Sequence, residues 1–259
     1  MNPISETLSA VRRASHVYFT LVAEQVTLSC GVALVCPRYP SYPDGNHLRE
    51  VVLPPGTSLE AAYEEVQTFY AGQGLRCFRW VPAAGQAVEP IADFLTARGY
   101  RPQTLLAMRQ ASAVRPAGAA DVRILPARAM RKALREIIMN REDVSPETRE
   151  TMLNVVTDRL DHPPFDLFVA MCGDAPAGFG ALLQAGEIGL AEPIFVDQRF
   201  RRRGVGLAIM AHLLALSRRL AMRTTCLATE ETNLPARALY ERCGFEVDGS
   251  LVQFIAPEK

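Results

Sequence analysis

Residues 201–206 read Arg-Arg-Arg-Gly-Val-Gly, between a predicted strand that ends at Val196 and a long apolar helical segment, Gly204–Met222. The first backbone N–H groups of a helix have no partner inside the helix, and the helix dipole adds positive potential there. The two glycines let the backbone approach a phosphate, and the arginines can supply charge-assisted hydrogen bonds. The stretch therefore predicts an anion site, with a pyrophosphate as the expected ligand. A solvated basic turn is the alternative.

Strand and helix patterns surround this loop from residue 121 onward. Apolar periodicity predicts the order β-α-α-β-β-β-α-β-α-β. Ser145-Pro146 marks a helix start, because Ser is a good N-cap and Pro fits the first turn. Gly173-Asp174, between two apolar runs, predicts a hairpin. The predicted fold class is α/β with a mixed sheet, and the loop matches neither the Walker pattern GxxxxGK[ST] nor the dinucleotide pattern GxGxxG.

A second motif follows the loop in the sequence. It reads Asn233-x-x-Ala236-x-x-Leu239-Tyr240-x-x-x-Gly244-Phe245. This motif and the preceding strand and loop, Phe195-Val196 followed by Arg201-x-x-Gly204-x-Gly206, together resemble the two signatures of the GNAT superfamily of acyl-coenzyme A-dependent N-acyltransferases. The resemblance covers residues 121–259 and implies a domain with an intact acyl-coenzyme A site.

The resemblance implies a role for each matching residue. The end of the strand would hold the pantetheine arm and the thioester carbonyl, through Ile194, Phe195 and Val196. The pyrophosphate would be held by the loop, which consists of Arg201, Arg202, Arg203, Gly204, Val205 and Gly206. Asn233 would contact the cofactor arm. Tyr240 would lie near the sulfur and protonate the departing thiolate, unless it is only a core aromatic residue.

An attacking amine must also lose a proton, and the sequence offers several carboxylates as the general base. Glu192, on the strand that ends at Val196, is the preferred candidate. Glu230 and Glu231 at the end of the next strand are rivals, and water is a further alternative. Each of these carboxylates can instead be a solvated residue at a strand edge.

The first part of the chain resembles a weaker copy of the second. Gly99-Tyr100 matches Gly244-Phe245 at an offset of 145 residues, from 99 to 244, and both pairs stand between a helix end and a strand. At this offset the anion loop becomes Gly56–Ala61, Asn233 becomes Val88 and Tyr240 becomes Leu95. We therefore expect a degenerate GNAT-like domain over residues 1–110, without coenzyme A, that packs on the active half and helps to wall its acceptor pocket. The Ala- and Pro-containing residues 111–120 are the predicted linker to a catalytic domain over 121–259.

Composition excludes several other classes of protein. With 28 Lys+Arg and 28 Asp+Glu, the chain has no overall field that favours nucleic acid or an anionic membrane. The six cysteines form no CxxC pair, which favours reduced thiols over disulfides or zinc. No apolar signal-like run opens the sequence, so a cytoplasmic location without membrane association is expected. No metal is expected, and the oligomeric state is left open.

The sequence thus predicts an N-acyltransferase that moves an acetyl group from acetyl-CoA to a primary amine by direct attack. The motifs recognise coenzyme A, so longer acyl groups are also compatible with them. The acceptor is a small-molecule amine or a protein amine, and nothing in the sequence distinguishes them. The alternative function is a non-catalytic coenzyme A sensor or interaction module that keeps the fold.

Overall fold

The computed structural model describes residues 5–112 and 121–257. Within them, strands and helices alternate along the chain. The elements are α1 (Glu6–Thr20), β1 (Glu24–Leu28), β2 (Gly31–Val35), β3 (His47–Val51), α2 (Leu59–Gly72), β4 (Arg79–Pro82), α3 (Glu89–Thr96), β5 (Arg101–Gln110), β6 (Val122–Pro126), α4 (Arg131–Met139), α5 (Pro146–Arg159), β7 (Phe165–Cys172), β8 (Ala175–Ala185), β9 (Ile188–Val196), α6 (Val205–Arg219), β10 (Thr224–Glu230), α7 (Leu234–Arg242) and β11 (Phe245–Ile255). The order predicted from residue 121 onward is confirmed.

Several helices begin where a short polar side chain satisfies a free backbone N–H group. Ser5 caps α1 by accepting from the Leu8 N–H, and Ser145 caps α5 by accepting from the Thr148 N–H at 3.2 Å. Such caps contribute about 1 kcal/mol each. The helix start predicted at Ser145-Pro146 is therefore confirmed, and the Ser145 side chain is its cause.

The described strands form one sheet of 11 strands in the order β1-β2-β3-β4-β11-β5-β10-β9-β8-β7-β6. The pairs β3–β4 and β9–β10 are parallel, and the other pairs are antiparallel. The sheet is therefore mixed, as the sequence predicts.

The same run of elements occurs twice along the chain. The first run is β3-α2-β4-α3-β5 and the second is β9-α6-β10-α7-β11. The first strands end at Val51 and Val196, which are also 145 residues apart, and in both runs the first two strands pair in parallel. Strand, helix, strand, helix and strand thus follow one another over residues 47–110, as they do over residues 188–255.

The structure adds an exchange of strands that the sequence did not predict. The final strand of the first run, β5, pairs with β10, as in the register of Arg109 with Cys226. The final strand of the second run, β11, pairs with β4 as well as β5, as in the register of Phe254 with Trp80. The limits 1–110 and 121–259 stay a prediction, and residues 113–120 of the predicted linker lie outside the described residues. Wherever the boundary between the two parts lies, β5 of the first part pairs with β10 of the second, and β11 of the second part pairs with β4 of the first.

Helices cover both faces of the second part of the sheet. α1 packs into a core with α4, α5 and β7–β9, in which Val11, Ala14 and Phe165 are at most 1% exposed. The other core contains α6, α7 and β10. A third core, in the first part, includes Trp80 together with Phe254 from β11. In the described residues, no helix combines the length and apolarity that crossing a membrane requires.

Candidate active site

The predicted anion loop leads directly into α6. Gly204 is the N-cap residue with φ of 79°, a left-handed conformation that favours glycine, and Arg202 also has a positive φ of 62°. No side chain of the described residues caps this helix, and its first backbone bond runs from the Ala208 N–H to the Gly204 carbonyl at 2.9 Å. The preceding N–H groups are thus available to an anion, beside the exposed residues 201–203. This geometry fits a pyrophosphate.

Gly206 allows the start of α6 to approach two neighbouring elements. A Cβ atom at this position would lie 3.0 Å from Cδ2 of Leu239 on α7 and 3.6 Å from Cγ2 of Val196 on β9. Arg201 is anchored to the same strand end, because its Nε donates to the Val196 carbonyl at 3.3 Å. The loop, the end of β9 and α7 therefore meet at one place.

The parallel strands β9 and β10 separate beside this loop. Their pairing runs only from Ile188–Thr224 to Leu190–Cys226. Beyond that point β9 continues along β8 to Val196, while β10 continues along β5 to Glu230. The edge of β9 that includes Ile194, Phe195 and Val196 is thus free of β10, which leaves backbone groups for an extended ligand.

Tyr240 lies on α7 and is 8% exposed. Its ring is 6.2 Å from that of Phe245, and its hydroxyl makes no hydrogen bond to the described residues. Burial raises the pKa of Tyr240, and the charge of Glu192 raises it further. The phenol therefore keeps its proton at neutral pH.

Asn233 is the N-cap of α7, where its Oδ1 accepts from the Ala236 N–H at 3.3 Å. The side chain is exposed and already serves this helix start. Its contact with the cofactor arm stays a prediction.

Glu192 stands where β9 leaves β10 and lines a cavity of about 80 Å³. Burial raises the pKa of Glu192 to about 7, with a contribution from the negative charge of Asp44, while Arg159 and Arg79 act in the opposite direction. The carboxyl group can therefore accept a proton near neutral pH. Glu230 and Glu231 are exposed and line a separate surface depression with residues 101–104. Of the three carboxylates considered, only Glu192 faces the cavity.

The cavity is built by both parts of the chain. β9 and β10 contribute Glu192 and Ala228, on the two strands that have separated. β11 adds Gln253, and the rest of the polar wall comes from the first part of the chain and includes Arg12, Asp44, His47, Arg49 and Arg79. Sequence reasoning missed these five residues. No local pattern marks them: Arg12 lies in a helix, Asp44 lies in a loop, and β3 reads His-Leu-Arg-Glu-Val, like a solvated strand.

Comparison with known proteins agrees with this geometry. Residues 131–245 match the family model described as the acetyltransferase (GNAT) family. No curated protein matches the chain.

Solved structures of similar fold cover nearly the whole chain. A conserved protein of unknown function from Staphylococcus epidermidis has a TM-score of 0.75 and 15% identity, over 92% of this chain and 96% of that one. A GCN5-related N-acetyltransferase from Kribbella flavida has a TM-score of 0.67 and 16% identity, over 97% and 96%. A tandem GNAT protein from the clavulanic acid biosynthesis pathway has a TM-score of 0.53 and 16% identity, over 89% and 80%. At these identities the likeness is one of fold. The family match and the shared fold together show that the chain contains a C-terminal domain of the GNAT acetyltransferase family.

Proposed function

We propose that the protein transfers the acetyl group of acetyl-CoA to an amine. The observation that carries this proposal is the position of Glu192, on a cavity that opens where β9 and β10 separate beside the anion loop. An acyl donor bound along the free edge of β9 would place its thioester next to that cavity. The amine and the thioester would thus be held together, which accounts for much of the rate enhancement in such reactions.

The chain supplies groups for each proton transfer. Glu192 takes a proton from the ammonium group, and the free amine attacks the thioester carbon. Backbone N–H groups at the end of β9 stabilise the negative oxygen. The new C–N bond forms as the amine attacks, and when the C–S bond breaks, Tyr240 gives its proton to the sulfur. The second proton on the attached nitrogen passes to the Tyr240 phenolate, which restores the phenol and leaves a neutral amide. The proton on Glu192 then returns to solvent, so that neither residue forms a bond to the acyl group.

The first part of the chain is proposed to have lost the cofactor site. The helix that corresponds to α6 is α2, and there the Ser58 side chain accepts from the Ala61 N–H at 3.1 Å. The first turn also carries Glu60, whose charge repels an anion. The helix start that α6 leaves open is therefore closed in α2, which supports the loss of the cofactor site. The lining of the cavity by Arg49 and Arg79 supports a role for the first part in walling the acceptor site.

The proposal is tested by release of free thiol from acetyl-CoA in the presence of a panel of amines. We expect thiol release that depends on one class of amine, with formation of the corresponding amide. Binding of coenzyme A without transfer to any amine would contradict an enzyme and favour a sensor.

Gly204→Val is expected to remove the increase in melting temperature that coenzyme A gives the wild-type protein. A valine cannot easily keep the φ of 79° and would obstruct the approach of a phosphate. A ligand at 100 times its Kd stabilises a protein by about 2.7 kcal/mol, which is readily measured. Gly186→Val is the matched control, because Gly186 has a φ of 62° in the β8–β9 turn with open space around it. If both variants keep the full increase in melting temperature on addition of coenzyme A, the loop does not bind the cofactor.

Tyr240→Phe is expected to lower kcat by roughly 10-fold or more while leaving the Kd for coenzyme A nearly unchanged. The substitution removes the hydroxyl but keeps the ring that packs near Phe245. Tyr100→Phe, in the buried core of the first part, removes a hydroxyl away from the site and serves as the control. An unchanged kcat, with chemistry shown to limit the rate, would exclude Tyr240 as the acid.

A further inference from the structure

Arginine side chains line the cavity opposite Glu192. Arg12 comes from α1, Arg49 from β3 and Arg79 from β4. Arg12 pairs with Glu50 at 2.8 Å, and Arg49 approaches the same carboxylate at 3.4 Å. Arg79 pairs with Asp44. Three guanidinium groups therefore share Glu50 and Asp44, and Arg159 adds a fourth positive charge that acts on both Asp44 and Glu192. One positive charge is left in excess even when Glu192 is ionised.

These arginines also hold donors that no described residue satisfies, and a neighbouring histidine has one ring nitrogen without a partner. Nε and Nη1 of Arg49 and Nε of Arg79 are buried without a hydrogen-bond partner, and so is Nδ1 of His47. Arg49 is 5% exposed and His47 is 1% exposed, so bulk water has little access to them. An unpaired buried donor costs free energy, more so when it is charged. Such a cluster is suited to an anion.

Phe19 shapes this end of the cavity without satisfying the donors. The guanidinium carbons of Arg49 and Arg79 lie 5.7 Å and 5.6 Å from the centre of its ring. The ring attracts both cations but offers no acceptor atom in their plane. It also gives the cavity that contains Glu192 an apolar wall.

Burial and the charges of Arg79 and Arg49 hold the pKa of His47 well below its ordinary value. The imidazole is therefore neutral at pH 7, and the backbone carbonyls of Asp44 and Pro43 are the partners of its single N–H group. The arginines are then the groups that carry the positive charge.

We propose, as a consequence of the acyl-transfer function above, that the acceptor is a small amine that also carries a carboxylate, of the amino-acid class. Its amine lies at Glu192 and its carboxylate lies at Arg49 and Arg79. A planar guanidinium group matches a carboxylate in geometry as well as charge. The cavity of about 80 Å³ compares with roughly 10–15 Å³ for one water, so it accepts a molecule of several non-hydrogen atoms.

The direct test compares matched acceptors on the wild-type protein. The twenty proteinogenic amino acids, their carboxamides and the corresponding decarboxylated amines are assayed with acetyl-CoA, and rates are expressed per concentration of free amine. We expect at least one amino acid to have a kcat/KM at least 100-fold above that of its carboxamide. Equal or faster transfer to the carboxamides or decarboxylated amines would overturn the inference and leave the acyl-transfer function intact.

A binding measurement separates the two proposals. The coenzyme A-bound protein is melted with each amino acid and with each carboxamide. One outcome is that an amino acid raises the melting temperature, its carboxamide does not, and neither releases thiol in the acetyl-CoA assay. That outcome would support the carboxylate site and contradict the transfer function. Neither stabilisation nor transfer with any amino acid would overturn the inference.

Variants locate the carboxylate contact. Arg49→Met is expected to reduce the ratio of kcat/KM for the acid over the carboxamide by at least 10-fold, and Arg49→Lys is expected to retain part of it. Arg13→Met removes the same charge from an exposed position of α1 and should leave the ratio unchanged. A purely structural role of Arg49 would lower both rates together, so an unchanged ratio in Arg49→Met would exclude this residue as the carboxylate contact.

Discussion

Glu192→Gln is expected to lower kcat/KM for the amine by roughly 100-fold or more, within the range that general-base catalysis contributes. The substitution keeps the shape of the side chain and removes its ability to accept a proton. The Kd for coenzyme A should change little, because none of residues 201–206 of the anion loop lines the cavity that holds Glu192. Glu230→Gln and Glu231→Gln are matched controls, since both carboxylates are exposed and face away from the cavity.

The pH dependence supplies a second readout of the same residue. Because the pKa of Glu192 is raised to about 7, its carboxyl group is protonated and inactive as a base below that pH. The wild-type kcat/KM should therefore rise with pH and bend near pH 7, whereas the Gln variant should show only the ionisation of the amine. If the Glu192→Gln variant showed the same bend near pH 7 in its kcat/KM profile, the bend would belong to another ionisable group.

The charges around Glu192 identify the cause of that pKa. Asp44 raises it, while Arg159 and Arg79 lower it, and burial raises it most. Asp44→Asn removes a negative charge and releases Arg79 from its ion pair. Both changes favour the ionised carboxyl group, so the bend should move to lower pH in this variant.

The position and conformation of the proposed anion loop could be predicted from the sequence because their determinants are local. A helix start, its glycines and its flanking arginines occupy the consecutive residues 201–206. The conformations found at Arg202 and Gly204 are those that such a turn requires. The strand ending at Val196 and the helix carrying Tyr240 are also recognised by periodicity within a short window.

The acceptor side could not be predicted in the same way. Arg49, Arg79 and Asp44 reach Glu192 only because the first part of the chain packs against the second. Alternation along β3 and β4 identifies strands, yet it does not specify which strand lies beside which. The exchange of β5 and β11 could not be predicted for the same reason. The alternation of residues along a strand indicates which face is buried, but it does not indicate which strands lie beside it.

Residues 113–259 expressed alone are expected to lack a cooperative melting transition and measurable acetyl transfer. The fragment loses β5, which pairs with β10 over Cys226–Glu230 and with β11 along most of its length. It also loses α1, whose Val11, Ala14 and Tyr18 are at most 4% exposed in the core shared with β7–β9. Burying one large apolar side chain contributes about 1.5–3 kcal/mol, and a whole domain is stable by only about 5–15 kcal/mol. Removing a central strand and a covering helix should exceed that margin.

Co-expression of residues 1–112 with 113–259 as separate chains is the matched control for this prediction. The two chains together restore every described strand pairing, and the cut falls in the predicted linker. We expect them to purify as one complex with a single melting transition and with acetyl transfer to the same amines as the intact chain. Transfer requires both chains, because Glu192 lies on one and Arg49 and Arg79 lie on the other. A lone 113–259 fragment that melts cooperatively and acetylates the same amines would contradict the prediction. In that case β11 would have to replace β5 beside β10, and the acceptor cavity would not need the first part of the chain.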